Sequence, residues 1–123
     1  LAGKYNKDSV KEMKKAGDPL RPTLYWFQEP NYSKILQMVD MLRPIAARHN
    51  VSVPAISIAW CLAWKGITGA ICGAGKPYQL DAFFEAAKLK LTEEDFKDIA
   101  NAVEVTGACK GTCGDGPAIP IRE

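Results

Sequence analysis

One short apolar segment without a partner constrains the fold of this chain more than any other feature. Residues 67–72, Ile-Thr-Gly-Ala-Ile-Cys, lie between Gly66 and Gly73 and are typical of a strand buried in a parallel sheet. A parallel strand needs a neighbouring strand that is joined to it by a crossover connection. All other regular segments of the sequence indicate helix, so we expect the neighbouring strands to lie outside these 123 residues.

Two helices are predicted in the first part of the chain. A short charged helix covers residues 8–16 and is expected to end at Gly17, since glycine is a common C-terminal stop residue. Asn31 or Ser33 can cap a second helix, whose apolar residues recur at helical spacing until His49.

The rest of the chain predicts three more helices. Ser52 is expected to cap a helix that ends near Lys65; this helix is apolar nearly all round and should be buried on more than one side. A further helix covers residues 78–87. Thr92 and Asp95 form a capping-box pattern that opens the last helix.

A long loop over residues 18–30 separates the first two helices. It carries three prolines and the aromatic residues Tyr25, Trp26 and Phe27. Long loops in compact domains are usually functional or mobile. This aromatic cluster is therefore a candidate lining for a substrate pocket.

The composition is that of an ordinary globular domain, with 47% hydrophobic and 24% charged residues. The net charge of +2 shows no basic face with interleaved aromatics, so no nucleic-acid partner is predicted. The longest apolar stretch, residues 53–64, is interrupted by proline and serine and followed by Lys65, which predicts no membrane span.

The cysteines indicate a reducing, cytoplasmic compartment, because they do not form a disulfide-scaffold pattern. Two of them lie in apolar segments and two in a glycine-rich tail: Cys61, Cys72, Cys109 and Cys113. His49 is the only histidine and lies far from the tail pair, so we predict no metal site.

A glycine-rich turn is the chemical feature of the sequence. Residues 71–77, Ile-Cys-Gly-Ala-Gly-Lys-Pro, run from the predicted strand into a helix. Glycines let the backbone approach a ligand closely, and the free amides at a helix start favour an anion. Lys76 adds a full positive charge. A plain tight turn is the alternative, because the full dinucleotide and P-loop spacings are missing.

Two units are expected along the chain: a folded part over residues 1–105 and a flexible tail, rich in glycine and proline, over residues 106–123. The sequence starts at Leu1 without an initiator methionine. It is therefore expected to be a processed product or a piece of something longer.

Three collinear stretches resemble the aldo-keto reductases. Residues 1–5, LAGKY, resemble the family's Leu-Thr-Gly-Lys-Tyr turn after the seventh barrel strand. Residues 45–75, IAARHNVSVPAISIAWCLAWKGITGAICGAG, resemble its helix-turn-helix into the eighth strand, and residues 73–99 its cofactor loop and terminal helices. The resemblance is closest to the branch that includes potassium-channel beta subunits and microbial reductases. It implies an α/β fold, the C-terminal portion of a (β/α)8 TIM barrel that is mostly helical here with about one barrel strand.

The resemblance also implies NADPH as the cofactor. It places Gly73, Gly75 and Gln79 near the adenosine phosphate portion, and it places two basic residues, Lys4 and Arg21, close to the cofactor. Lys76 is a further candidate contact, standing beside the position where the family usually has a basic residue. The family's adenine-holding Glu-Asn pair is replaced by Ala82-Phe83.

The family's catalytic residues are an Asp, a Tyr, a Lys and a His on earlier strands, and none of them maps onto this chain. We therefore expect part of an NADPH-dependent carbonyl reductase that is inactive by itself. The intact protein would act on a small carbonyl substrate. The alternatives are a non-catalytic cofactor-sensing or partner-binding subunit, or a half-barrel that self-associates as a homo-oligomer or pairs with the missing half.

Overall fold

Helices and turns account for all regular structure in residues 2–108, the part of the chain that the computed structural model describes. The α-helices in this range are α1 (Ser9–Lys15), α2 (Asn31–His49), α3 (Val53–Leu62), α4 (Asp81–Lys88) and α5 (Glu93–Thr106). Short 3-10 turns cover Arg21–Thr23, Tyr25–Phe27 and Pro77–Leu80.

The helix ends follow the local sequence signals in most places. Gly17 follows α1 with a φ of 72°, and Asn50 ends α2 in the left-handed conformation with a φ of 52°. The Thr92 hydroxyl accepts the backbone N–H of Asp95, and the Asp95 carboxylate accepts the N–H of Thr92, so the predicted capping box at α5 is confirmed.

The predicted N-cap residue is wrong for α2 and confirmed for α3. Neither Asn31 nor Ser33 caps α2, because both residues already lie inside that helix. The backbone N–H of Ser33 instead donates to the carboxylate of Glu29, at 3.2 Å. Ser52 does precede α3, but its side chain makes no capping bond and donates to Glu85 of α4 instead.

The core lies where α2, α3 and α5 meet. Apolar residues recur at helical spacing on each of these helices, so each turns one face towards the others. Leu42, Ile45 and Ile56 are the largest fully buried apolar side chains. The cluster around them comprises Met38, Val39, Ala46, Val53, Ala59, Leu91, Phe96, Ile99, Ala102 and Ala108. Helix α4 packs against α3 on its other side.

The predicted strand is not formed within the described residues. Residues 67–74 have no regular secondary structure; Ile67 is half exposed and Ile71 fully exposed. A strand takes its hydrogen bonds from its neighbours, and the described chain provides no neighbouring strand. The isolated segment therefore stays irregular.

Helix α3 is less buried than its apolar sequence predicts. Cys61 is exposed, and Trp60 and Trp64 are partly exposed, although their rings pack edge to face with centroids 5.1 Å apart. Both indole N–H groups are shielded from solvent and have no hydrogen-bond partner among the described residues. The outer surface of α3 thus keeps an apolar face that this part of the chain does not cover.

The packed chain extends past the predicted boundary at residue 105. Thr106 and Ala108 are buried, and the remaining residues of the predicted tail, with Cys109 and Cys113, lie outside the described range. Among the helices of residues 2–108, none is long and apolar enough to cross a membrane.

Candidate functional site

The glycine-rich turn is organised by a glutamine side chain. The Gln79 carboxamide oxygen accepts two consecutive backbone amides, from Gly75 at 2.8 Å and from Lys76 at 3.0 Å. The backbone N–H of Gln79 in turn donates to the carbonyl of Lys76 at 3.1 Å, which closes the 3-10 turn. The sequence predicts each of these residues as a cofactor contact, and the structure brings them together.

Two amides that converge on one oxygen form a small anion-binding arrangement. The amide oxygen of Gln79 occupies the place that a phosphate oxygen would take, so an incoming anion has to displace this side chain. The turn is exposed, and no atom lies within 4 Å of the position of a Cβ on Gly73. Lys76 is exposed beside the two amides. The residues present therefore fit a phosphate group.

Lys4 and Arg21, the other predicted cofactor contacts, interact with residues outside the glycine-rich turn. The Lys4 ammonium lies 5.7 Å from the centre of the Tyr5 ring. Arg21 pairs with Asp18 at 3.4 Å, and the Asp18 carboxylate also accepts the backbone N–H of Arg21 at 3.0 Å. That backbone hydrogen bond is the main reason why the pKa of Asp18 is below its ordinary value. Neither contact reaches the glycine turn.

An apolar cavity of about 380 Å³ lies between the first residues, the aromatic loop and α2. Trp26 and Phe27 line it as predicted, whereas Tyr25 does not and is 45% exposed. The other lining residues are Ala2, Gly3, Tyr5, Tyr32, Ile35, Leu36 and Val39. The Tyr32 hydroxyl donates to the carbonyl of Asn6 at 2.6 Å, which ties the first residues to α2. The cavity can hold a small apolar group.

Phe83 is one of the two residues that stand where the resemblance implies an adenine-holding pair. It lines a groove of about 350 Å³ on α3 and α4, together with Ile58, Leu62, Gly69, Ala70, Cys72 and Ala87.

The sequence did not predict a charge cluster between α2 and α5, in which only Asp95 is fully buried. The fully buried Asp95 carboxylate accepts Arg48 at 2.8 Å and lies 2.7 Å from His49 Nε2. Arg48 also pairs with Asp98 at 2.7 Å. Basic residues in the last turn of α2 and an acidic residue in the capping box were the available signals. The cluster fixes the packing of the two helices.

A second missed contact joins α4 to the start of α3. The Glu85 carboxylate accepts the backbone N–H of Ser52 at 2.8 Å and its hydroxyl at 2.6 Å. These hydrogen bonds lower the pKa of Glu85. Within residues 2–108, no group of three or more His, Cys, Asp or Glu side chains is arranged to hold a metal ion.

The sequence of this chain is similar to that of a known protein family. The model of the Aldo/keto reductase family matches residues 1–104. Aldo-keto reductase YhdN of Bacillus subtilis is 36% identical over 107 residues, covering 86% of this chain and 31% of that protein. The NADH-specific methylglyoxal reductase of Escherichia coli is 28% identical over 87 residues, covering 68% of this chain and 27% of the relative.

A third relative is aldo-keto reductase yakc [NADP(+)] of Schizosaccharomyces pombe, 33% identical over 85 residues, which cover 67% of this chain and 25% of that protein. The chain thus spans about a third or less of the length of these curated relatives. No solved structure matches it significantly. The narrower resemblance to the potassium-channel beta subunit branch stays a prediction.

Proposed function

Because this chain belongs to the aldo/keto reductase family, we propose that it forms the cofactor-side portion of an NADPH-dependent carbonyl reductase. Aldo/keto reductases use nicotinamide cofactors. The observation that carries the proposal is the convergence of the Gly75 and Lys76 amides on one oxygen in an exposed turn. One relative has NADP(+) in its name and another is named NADH-specific. The cofactor's extra phosphate is therefore the feature to test.

In this proposal the chain holds the phosphate end of the cofactor. The amides of Gly75 and Lys76 donate to a phosphate oxygen, and the Lys76 ammonium supplies the full charge that neutralises it. Gln79, once displaced, can turn its amide nitrogen towards the same phosphate as a donor. A nicotinamide cofactor held here would supply the hydride for reduction of a carbonyl group. The groups that protonate the carbonyl oxygen are proposed to lie outside this chain.

Lys4 and Arg21 stay predicted cofactor contacts. Arg21 has to exchange its exposed ion pair with Asp18 for a phosphate, and exposed pairs of this kind are weak. Lys4 lies next to residues that line the apolar cavity. We assign that cavity to the apolar part of a small carbonyl substrate, because its lining is mostly aromatic and aliphatic. The cytoplasmic location expected from the cysteines also stays a prediction.

Fluorescence titration with NADPH tests the site in the full chain. Replacing Lys76 by alanine should weaken NADPH binding about fivefold, corresponding to about 1 kcal/mol for an exposed charge pair. Lys90→Ala is the matched control, since Lys90 is an exposed lysine in the turn between α4 and α5. If the Lys76 ammonium contacts the extra phosphate of NADPH, the affinity for NADH should change little in either variant.

Two results would contradict this assignment. One is the absence of any change in tryptophan or nicotinamide fluorescence at about 1 mM NADPH, where even weak sites fill. The other is an equal loss of NADPH and NADH affinity in Lys76→Ala. A carbonyl reductase assay on the chain alone is expected to show no turnover, and measurable turnover would refute the placement of the catalytic groups elsewhere.

We also propose that the irregular segment pairs with strands of a larger barrel. Ile71 is fully exposed, and Ile67, Tyr78 and Phe84 are further exposed apolar residues in this part of the sequence. Exposed apolar patches and unpaired strand-forming segments are typical of surfaces that bind another chain. Sedimentation velocity distinguishes the outcomes: a dimer supports self-association of the half-barrel. A clean monomer restricts the proposal to pairing with the remainder of an aldo/keto reductase barrel.

A further inference from the structure

Cys72 lies in the segment that follows α3 and lines a groove with two residues of the part of α3 that carries Cys61. Cys61 is in the last turn of that helix, and Cys72 is in the irregular segment that follows it. Cys72 lines the 350 Å³ groove together with Ile58, one turn before Cys61, and Leu62, the residue next to it. Both cysteines are in the thiol form and both are exposed. The fold therefore returns Cys72 to the part of α3 that carries Cys61.

The electrostatics of Cys61 agree with this placement. Burial raises the pKa of the Cys61 thiol, and the nearby Cys72 raises it further.

The backbone between the two cysteines can adjust to the geometry of a disulfide. Gly66 has a φ of 85°, and neither Gly66 nor Gly69 has an atom within 4 Å of its Cβ position. Within residues 2–108, the irregular segment has no strand partner that would resist a small movement. A disulfide requires closely spaced Cα atoms and a defined torsion angle, so the segment between the two cysteines has to move to reach this geometry.

We propose that Cys61 and Cys72 form a reversible intramolecular disulfide when the chain meets a peroxide. The Cys72 thiolate attacks one peroxide oxygen, which gives a sulfenic acid and releases water. The Cys61 sulfur then attacks the sulfenic sulfur, the S–S bond forms and a second water leaves. In total, two thiols lose two protons and two electrons, and one hydrogen peroxide takes them up and is reduced to two waters. Cys72 is assigned the first attack because it is exposed in the irregular segment, whereas partial burial raises the pKa of the Cys61 thiol and makes it the poorer first nucleophile.

The cross-link has a defined structural consequence. It fastens the irregular segment to α3 immediately before Gly73, where the glycine turn begins. The reduced chain leaves residues 67–72 available to pair as a strand, whereas the oxidised chain does not. This consequence rests on the proposed barrel, but formation of the disulfide does not depend on it.

Peptide mass spectrometry of the full chain tests the disulfide directly. Cys109→Ser and Cys113→Ser are introduced together, so that only Cys61 and Cys72 can react. The native protein is treated with hydrogen peroxide, alkylated, and digested without reductant. Trypsin cleaves after Lys65 and so separates the two cysteines. We expect one cross-linked peptide pair, which is lost on treatment with a thiol reductant.

A Cys61→Ser variant in the same background is the matched control. It should give no cross-linked pair, and Cys72 should proceed to the sulfinic acid or to dimers linked between chains. The oxidised parent should also melt at a higher temperature than its reduced form, with no such rise in Cys61→Ser. The proposal is overturned if Cys61 stays alkylatable while Cys72 is oxidised, or if the pair forms only in denaturant. Either result leaves the NADPH titration unaffected.

Discussion

Replacing Asp95 by asparagine is the sharpest test of what holds the helices of this chain together. Asp95 is fully buried, and its carboxylate accepts the Thr92 N–H and hydroxyl, both at 2.8 Å. The same carboxylate accepts Arg48 at 2.8 Å and contacts His49 Nε2 at 2.7 Å. The substitution keeps the side-chain volume but removes the charge and replaces one acceptor oxygen by a donor.

The expected loss follows from these contacts. Hydrogen bonds to a charged group contribute about 1.5–3 kcal/mol each, and because Arg48 is 37% exposed, the cost of removing Asp95 lies below that of breaking a fully buried ion pair. Arg48 keeps its contact with Asp98, which moderates the loss. We expect Asp95→Asn to lower the free energy of unfolding by about 3 kcal/mol. Typical domains have only about 5–15 kcal/mol in total.

Urea unfolding, followed by tryptophan fluorescence and circular dichroism, measures this change. With a slope of about 1.5 kcal/mol per molar urea, the midpoint should fall by about 2 M. Asp98→Asn is the control, because Asp98 pairs with the same arginine but is 45% exposed. That control should cost less than about 1 kcal/mol. Equal midpoints for the two variants would refute the argument that burial of Asp95 sets its contribution.

The pH dependence gives an independent check on the same carboxylate. Burial alone would raise the pKa of Asp95, but hydrogen bonds from Thr92 and His49 outweigh it and hold the pKa below its ordinary value. A lowered pKa means that the stabilisation is fully present above the unfolded value of about 3.9 and is lost as the pH falls through the folded value. The difference between the parent and Asp95→Asn should therefore shrink on acidification below about pH 4. A difference that stays constant would show that charge is not the cause.

Three further substitutions test separate contacts by thermal or urea unfolding. Glu85→Ala should lower the free energy of unfolding by about 1–2 kcal/mol, because two donors of Ser52 lose their acceptor. This loss should become smaller at acid pH, since the pKa of Glu85 is lowered in the folded chain. Gly66→Ala should cost about 1–2 kcal/mol because its φ is 85°, while Gly69→Ala, whose φ lies outside the strained range, should be nearly neutral. Tyr32→Phe should cost about 1 kcal/mol through loss of the 2.6 Å hydrogen bond to a backbone carbonyl, and an unchanged midpoint would exclude a role for that bond.

The glycine turn shows which parts of a site a sequence can predict. The sequence identifies Gly73, Gly75, Lys76 and Gln79 as neighbours, because they lie within seven residues of one another. It does not predict that the Gln79 oxygen already occupies the two amides, since this depends on the side-chain conformation. Lys4 is distant in sequence from the turn, and only a tertiary fold can bring such residues together.

The sequence by itself determined the features that depend on interactions between residues close together in the chain. Helix ends depend on residues a few positions apart, so Gly17, Asn50 and the Thr92–Asp95 box predict them well. Family membership also follows from the collinear pattern over residues 1–104.

Only the tertiary structure decided the features that depend on distant partners. Residues 67–72 have the composition of a strand, yet they form none here, because strand hydrogen bonds come from a neighbour that the described chain lacks. Asp95 likewise has a local role as a cap and a second role, across 46 residues, as the partner of His49. A pattern in sequence specifies what a residue can do locally. The packing of α2 against α5 determines that Arg48 and His49 are the distant groups that contact the buried Asp95 carboxylate.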